Sequence, residues 1–529
     1  MTASTSSADP TLRSALRLAL LFAAIKLIVQ FALTVYTTHL GYDYFRDEFY
    51  YIACGRHLAW GYVDHGPIVA VQARVGELLF GDSVFGIRIL SAVAGALTIF
   101  LGGTIAWALG GRRPAQALAM IGLILCPQYI GVDGFLSMNS WEAVFWSFCI
   151  LAVFLIARGA PPALWWTLFG VCAGVGMLNK PSMAFFLVAL GGGLLVTRER
   201  KLLFSRWTAV ALALMIVITL PFVLWQVHNH FPTLEFLHNG RVHGKNIVLN
   251  PVQFFLAQFA TIGPLNALLW IPGVVALLRG RSIANARWLG LTYVFFFILM
   301  CGMHAKDYYL EGIYPAFFAA GAIAWEHCFS TSTAVQRNRI FAFPVYESLL
   351  FIFTLLILPM ASPVLRPSTW VRYTTALHLP HDNTETARTG PLPQFFADRF
   401  GWNQEVAIVS RTFDSLSPED QRRVCIFGAN YGEAGAIDLL GRLHHEGLPP
   451  AMSGQNNYWL WGTHGCDPNL VIAVIHDAPQ DVAQKYQSVT VVGVRDNPYA
   501  MPFEQGNIYL LRNRRASAPF HWADERFYF

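Results

Sequence analysis

At 529 residues, 55% of them hydrophobic and only 13% charged, the chain is far from a soluble protein, where about a quarter of residues carry charge. The apolar content excludes intrinsic disorder and collagen, and 8 cysteines exclude a disulfide-built scaffold. The net charge of +5 is not a nucleic-acid footprint, because the basic residues fall in short clusters between apolar runs, the pattern of membrane topology.

A run of about 20 apolar residues crosses a bilayer as a helix. Eleven such runs follow one another: 15–37, 84–109, 115–132, 141–157, 163–179, 182–197, 207–227, 263–278, 288–303, 309–325 and 341–361. Arg13 and Arg17 stand at the N-terminal end of the first run, which lacks a small-residue cleavage site and so reads as a retained anchor helix. Only Asn179-Lys180-Pro181 separates the fifth from the sixth. Alternate loops carry Arg112 and Arg113, Arg158, Arg198 to Arg206, Arg279, Arg281 and Arg287, then Arg337 and Arg339, against the acids Glu199 and Glu326. That bias predicts that these loops face the cytoplasm. The acidic, aromatic loops and the polar region after the last run are then outside.

From residue 362 the character changes. Residues 366–420, in a region rich in proline (Pro363, Pro367, Pro380, Pro391, Pro393), read as a connector with short helices. From Arg423 the segments RVCIFGAN, NLVIAVIHD, SVTVVGVRD and NIYLLRN read as strands, and YGEAGAIDLLGRLH and APQDVAQKY as helices. The alternation predicts a small α/β domain.

The chemistry concentrates in the loop of residues 38–83, GYDYFRDEFYYIACGRHLAWGYVDHGPIVAVQARVGELLFGDSVFGIR. Asp47 and Glu48 sit there among bulky aromatics. A carboxylate in such surroundings is partly desolvated, which raises its basicity and suits it to general-base work. The alternative is an interfacial loop whose Trp and Tyr form an ordinary aromatic belt.

RDEFYY, WGYVDHGPIVA and LFGDSVFGIRILSAVAGAL resemble the opening of the bacterial glycosyltransferase-39-like family, in the GT-C class with protein O-mannosyltransferases and the lipid A aminoarabinose transferase. LSMNSWEAVFWS, GMLNKPS and YYLEGIYPAFFAAGA extend the resemblance over most of residues 40–325, and GANYGEAGAIDLL and NNYWLWG carry it into the tail. It implies transfer of a sugar from a polyprenyl-phosphate donor on the outer face, in one displacement with inversion. Asp47 matches the family's catalytic aspartate, and Glu48 completes its acidic pair. Some enzymes of the class use a divalent ion near the acidic loop, so a metal ion is left open as a cofactor.

A leaving phosphate must be met by cations. Lys306, Lys180, Arg241, Lys245 and His304 are the donor-phosphate candidates, with His243 in the same cluster. Lys306 precedes the YYLEGIYP segment as a basic residue does in relatives; otherwise it is a snorkelling anchor. Asp64 and His65 lie in Asp64-His65-Gly66-Pro67, where relatives read DHPP, so one proline is lost but the carboxylate stays. Asp64, His65, Tyr50, Asn139 and Glu142 are the substrate-binding candidates, although Asn139-Ser140 equally suits a helix N-cap. GANYGEAG lacks the spacing of a dinucleotide-binding turn and reads as tight-turn glycines. The Trp and Asn side chains of Asn456 to Trp461 suit carbohydrate stacking or core packing. His228, His230, His238 and His243 are scattered and give no metal signal, while Cys425 and Cys466 are the only cysteines of the outer domain, which an oxidising exterior could pair.

The expected architecture is a mainly α polytopic membrane protein of GT-C fold with about eleven spans. It comprises a multispanning domain over 1–361, an extracytoplasmic connector over 362–420 and an extracytoplasmic α/β domain over 421–529. The expected function is glycosyl transfer in the bacterial cytoplasmic (inner) membrane, from a polyprenyl-phosphate-linked sugar to a lipid, glycan or protein acceptor. Its partners are those molecules and membrane lipids, with no nucleic acid. Two rivals belong to other classes: a transporter or flippase for lipid-linked sugars, whose polar residues would sit at the bilayer midplane, and a non-catalytic scaffold binding an envelope polymer.

Overall fold

The computed structural model describes residues 11–280, 283, 286–331, 339–379, 385–445 and 447–529. Arg281, Arg337 and Pro380 lie outside these. The chain divides into two compact units, each built from separated stretches. One comprises Met1–Val35, Arg88–Val223 and Val248–Val364; the other comprises Tyr36–Ile87, Leu224–Ile247 and Leu365–Phe529.

The first unit is helical, and each apolar run read from the sequence contains helix. Among the described residues, six helices are long and apolar enough to span a bilayer: Leu12–His39, Val84–Ala108, Asn139–Ala157, Pro162–Asn179, Arg206–His228 and Ala342–Ala361. Ser182–Leu195, Ala267–Arg279 and Arg287–Gly302 are shorter. The run 115–132 is not one helix. It breaks after Arg113–Ile124 and resumes as Pro127–Val132, because Pro127 lacks a backbone donor and holds Cys126 extended. The run 309–325 begins as a 3₁₀ turn, Asp307–Ile313, before the helix Tyr314–Thr331. Aromatic rings fill the core of this unit: Trp146 stacks on Phe186 at 4.6 Å and meets Phe296 edge-on at 5.1 Å.

The second unit holds a five-stranded sheet: β1 Val424–Gly428, β2 Ala451–Met452, β3 Asp467–Val474, β4 Tyr486–Arg495 and β5 Gly506–Arg514. Its order is β2-β1-β3-β5-β4. β1 runs parallel to β2 and β3, while β5 is antiparallel to β3 and β4. The run from Leu470 to Val474 is buried throughout, as expected of a central strand covered on both faces. Cys425 of β1 and Cys466 form a disulfide. The segment 38–83, which the sequence presents as a loop, contains two helices of this unit, Arg46–Arg56 and Pro67–Phe80. Helices Pro367–Ala376 and Trp402–Asp414 lie in the connector region.

Candidate active site

Asp47 and Glu48 stand in the first turn of helix Arg46–Arg56, where the free backbone N–H groups favour negative charge. Their surroundings differ sharply. Glu48 is fully buried, and its Oε2 accepts the backbone N–H of Phe45 at 2.8 Å, the carboxylate half of a capping box, while the Glu48 N–H donates to the Phe45 carbonyl. The Asp47 side chain is 30% exposed. Its Oδ1 accepts the Tyr431 hydroxyl at 2.8 Å and lies 3.6 Å from Arg46 Nε.

An aromatic floor extends from there. Tyr431 stacks on Tyr50 at 4.7 Å. The Tyr50 hydroxyl bonds Asp64 Oδ1 at 2.9 Å and Asn457 Oδ1 at 3.0 Å. His65 stacks on Tyr62 at 4.6 Å, its Nδ1 lies 2.8 Å from the Gly66 carbonyl, and its buried Nε2 has no hydrogen-bond partner among the described residues. Burial lifts the Asp64 carboxyl above the usual range, against the pull of His65 and Tyr50. Burial also pushes the His65 imidazole down, although Asp64 opposes it. Burial raises the Tyr431 phenol well above its ordinary value, so it stays a donor.

Behind Asp47 lies a network of charges. Arg46 sits over the rings of Tyr431 and Phe503 and 3.9 Å from Glu504. Arg495 pairs with Glu405, with Glu433 at 3.0 Å and with Glu504 at 3.2 Å, and His476 lies 3.2 Å from Glu433. Paired burial is the condition under which such charges are tolerated.

Arg241 and Lys245 belong to this same unit. Arg241 is exposed in the last turn of helix Pro232–Val242, and the Lys245 ammonium lies over the Phe529 ring at 4.7 Å. Lys180, Asn139, Glu142, His304 and Lys306 belong to the helical unit. There Lys180 Nζ meets Glu142 Oε2 at 2.7 Å, Asn139 Oδ1 at 2.9 Å and the Tyr309 ring at 4.5 Å. Ser182 donates to the other Glu142 oxygen. Asn139 therefore holds Lys180; the N-cap position belongs to Met138, whose side chain makes no cap bond, and Ser137 Oγ accepts the Asn139 backbone N–H at 3.1 Å. Lys306 is half-buried at the N-cap of Asp307–Ile313, and His304 is exposed with a left-handed φ of 53°.

Two further readings are settled by packing. Asn456, Asn457 and Tyr458 are buried, and Asn457 Oδ1 also accepts the Val63 N–H at 2.8 Å. Trp461 stacks on His57, and Trp459 exchanges hydrogen bonds with Trp522, so this aromatic run is an internal joint. The glycines of GANYGEAG serve a helix contact more than a turn: a Cβ on Gly435 would lie 2.8 Å from Phe49 Cβ, and one on Gly432 would lie 2.4 Å from Arg46 Cγ. Among the described residues, no group of three or more His, Cys, Asp or Glu side chains is placed to hold a metal ion.

Sequence reasoning missed Tyr431, whose partner Asp47 is 384 residues away, and Arg46. It also missed the buried pair Lys26–Asp133, at 2.8 Å, where Lys26 is further held by Gln30 and the Tyr129 carbonyl. A lysine inside the first apolar run was a signal, since a charge there requires a partner.

A unit of long apolar helices and a unit with a mixed α/β sheet make up a known fold. The chain shares it, over 95% of its length and 99% of the other, with ArnT from Cupriavidus metallidurans bound to undecaprenyl phosphate, at a TM-score of 0.58 and 17% identity. The sequence model of the family described as dolichyl-phosphate-mannose-protein mannosyltransferase matches residues 64–225. A lipid A galacturonosyltransferase from Rhizobium johnstonii is 26% identical over 285 residues, 50% of this chain and 57% of its own. An undecaprenyl phosphate-alpha-4-amino-4-deoxy-L-arabinose arabinosyl transferase from Pseudomonas paraeruginosa is 33% identical over 158 residues, 28% of each chain. The chain thus spans little more than half of the first of these relatives and about a quarter of the second.

Proposed function

We propose that the protein transfers a sugar from an undecaprenyl-phosphate-linked donor to a lipid acceptor at the outer face of the cytoplasmic membrane, with Asp47 as general base. The observation that carries this is Asp47 itself: a part-exposed carboxylate at a helix N-terminus, with one oxygen held by Tyr431. The names of the relatives support both substrate classes.

In this reading the acceptor hydroxyl gives its proton to Asp47 as its oxygen attacks the anomeric carbon. The bond from that carbon to the phosphate oxygen breaks, and the lipid phosphate leaves with the electron pair. No covalent sugar–enzyme species is required. Asp64 and Tyr50 bind the sugar beside Asp47, and His65 orients Asp64. Lys245 and Arg241, in the same unit as Asp47, are the cations assigned to the phosphate, while Lys306 and His304, in the helical unit, are donor-phosphate candidates from the sequence alone. The pairing of Lys180 with Glu142 gives those two residues a positioning role for the segment that also carries Asn139.

The test is the full chain in nanodiscs, supplied with a panel of undecaprenyl-phosphate-linked pentoses and hexuronic acids and with lipid A. Transfer by the wild type and a ~10²–10⁴-fold loss of turnover in Asp47→Asn, with undecaprenyl phosphate still bound, are expected. Full turnover by Asp47→Asn overturns the assignment. The outer-face assignment has its own check, in a background lacking Cys328. A cysteine at Asn469 should react with a membrane-impermeant thiol reagent in intact cells, and one at Arg279 should not. Equal labelling removes the orientation.

A further inference from the structure

We infer that Tyr431, on the helix following β1, is a positioning residue that fixes which oxygen of Asp47 receives the acceptor's proton. The inference rests on the reading of Asp47 as the base and deepens it.

The geometry is one-sided. The Tyr431 hydroxyl at 2.8 Å and Arg46 Nε at 3.6 Å both address Oδ1 of Asp47, and among the described residues Oδ2 carries no hydrogen bond. A carboxylate with two unbound oxygens turns about its last torsion, whereas one held at a single oxygen keeps the other in a fixed direction.

The phenol is itself fixed from three sides. Its ring stacks on Tyr50, whose hydroxyl is tied to Asp64 and Asn457. Its backbone N–H donates to Gln455 Oε1 at 3.0 Å. Asn430 caps the helix that carries it, accepting from the N–H groups of Gly432 and Glu433, and Glu433 reaches back to the Asn430 N–H. Gly432 and Gly435 then let this helix approach helix Arg46–Arg56 more closely than any residue with a Cβ would allow. Supporting contacts of this kind are what hold a reacting group to the sub-ångström tolerance that catalysis needs.

A phenol that only filled space would be replaced by phenylalanine without consequence for the chemistry. A positioning phenol would not, and its effect would exist only while Asp47 is an ionisable carboxylate. The experiment uses the full chain in nanodiscs with whichever panel donor the wild type turns over. Tyr431→Phe should lower kcat by ~10–10²-fold, leaving KM for the donor and the affinity for undecaprenyl phosphate within ~2-fold. Added to Asp47→Asn, the same change should cost less than ~2-fold further, because residues acting as a unit are not additive. Tyr458→Phe is the control: it removes a comparable bond in the same unit, from the Tyr458 hydroxyl to Asp438 at 2.9 Å, and should keep wild-type turnover.

Full turnover by Tyr431→Phe beside an inactive Asp47→Asn overturns the inference alone. Costs that multiply in the double variant, or an equal loss in Tyr458→Phe, overturn it as well, since both signify a merely structural role. Full turnover by Asp47→Asn overturns the reading on which the inference rests, and the inference with it.

Discussion

At the start of helix Arg46–Arg56, one carboxylate faces outward and its neighbour is spent on the backbone. Glu48 accepts from Phe45 N–H and closes the cap, a task an amide oxygen performs equally well. Glu48→Gln is therefore expected to keep turnover within ~3-fold of the wild type, while Glu48→Ala loses the cap and about 1 kcal/mol of stability. Kinetics and thermal melts of both variants check this; a Glu48→Gln enzyme as inactive as Asp47→Asn would make Glu48 the base. Among the cations, Lys306→Ala should cut turnover by ~10²-fold if its ammonium meets the charge developing on the phosphate. Lys306→Arg should recover part, because charge is kept and geometry changes. Normal turnover of the alanine variant at saturating donor reduces Lys306 to an interface anchor. The pair of acids was legible because carboxylates amid aromatics are unusual. Their division of labour was not, since nothing in RDEFYY says which oxygen meets a backbone N–H.

The elements around Asp47 explain why a loop in the sequence is a helix in the fold. RDEFYYIACGR shows no apolar stripe of helical period, because residues 48–55 are all buried and leave no polar face to mark it. Its partner is the helix Tyr431–Ala436, and the contact depends on Gly435, whose added Cβ would press on Phe49 at 2.8 Å and on its backbone carbon at 3.0 Å. Backbone cannot yield as a side-chain tip can. Gly435→Ala should destabilise the unit by roughly 1–3 kcal/mol and lower turnover through the displaced Asp47, measurable as a drop in melting temperature together with kcat. An unchanged melting temperature would show that the helices separate freely. By contrast, the long apolar helices were legible to within a few residues, because hydrocarbon imposes length and composition directly on sequence. The break in run 115–132 is the exception that hydropathy alone does not register, although Pro127 marks it.

At the scale of the whole molecule, several acids are buried in the sheet-bearing unit, among them Asp398, Glu405, Glu433 and Glu504. Both Asp398 carboxylate oxygens are buried without a hydrogen bond among the described residues. Burial raises this carboxyl to about 7, with Arg46 opposing and Glu504 and Asp47 adding to the rise. The folded state thus keeps a proton that the unfolded chain, with a value of about 4, releases. Between those values the folded state binds more protons, so stability from this group is greatest below pH ~4 and declines as pH rises through 7. Asp398→Asn should accordingly raise the melting temperature more at pH 8 than at pH 5. Equal shifts at both would show that Asp398 is not the titrating group. The strand and helix alternation after Arg423 was legible from residue type alone. The joining of 36–87 and 224–247 to this unit was not, because such contacts are set by positions hundreds of residues apart.

That discontinuity bears on biogenesis. The ribosome delivers the helix Arg46–Arg56 early, yet the residues that cover it, from Leu365 onward, are synthesised only after most of the apolar helices. Until then Phe49 lacks its Trp402 contact and Tyr50 its Tyr431 contact, so a chain stalled before Leu365 leaves these two aromatics without that native cover. Asp47 acquires its Tyr431 contact only once residue 431 of 529 has been translated, so a product that ends before Tyr431 lacks that contact.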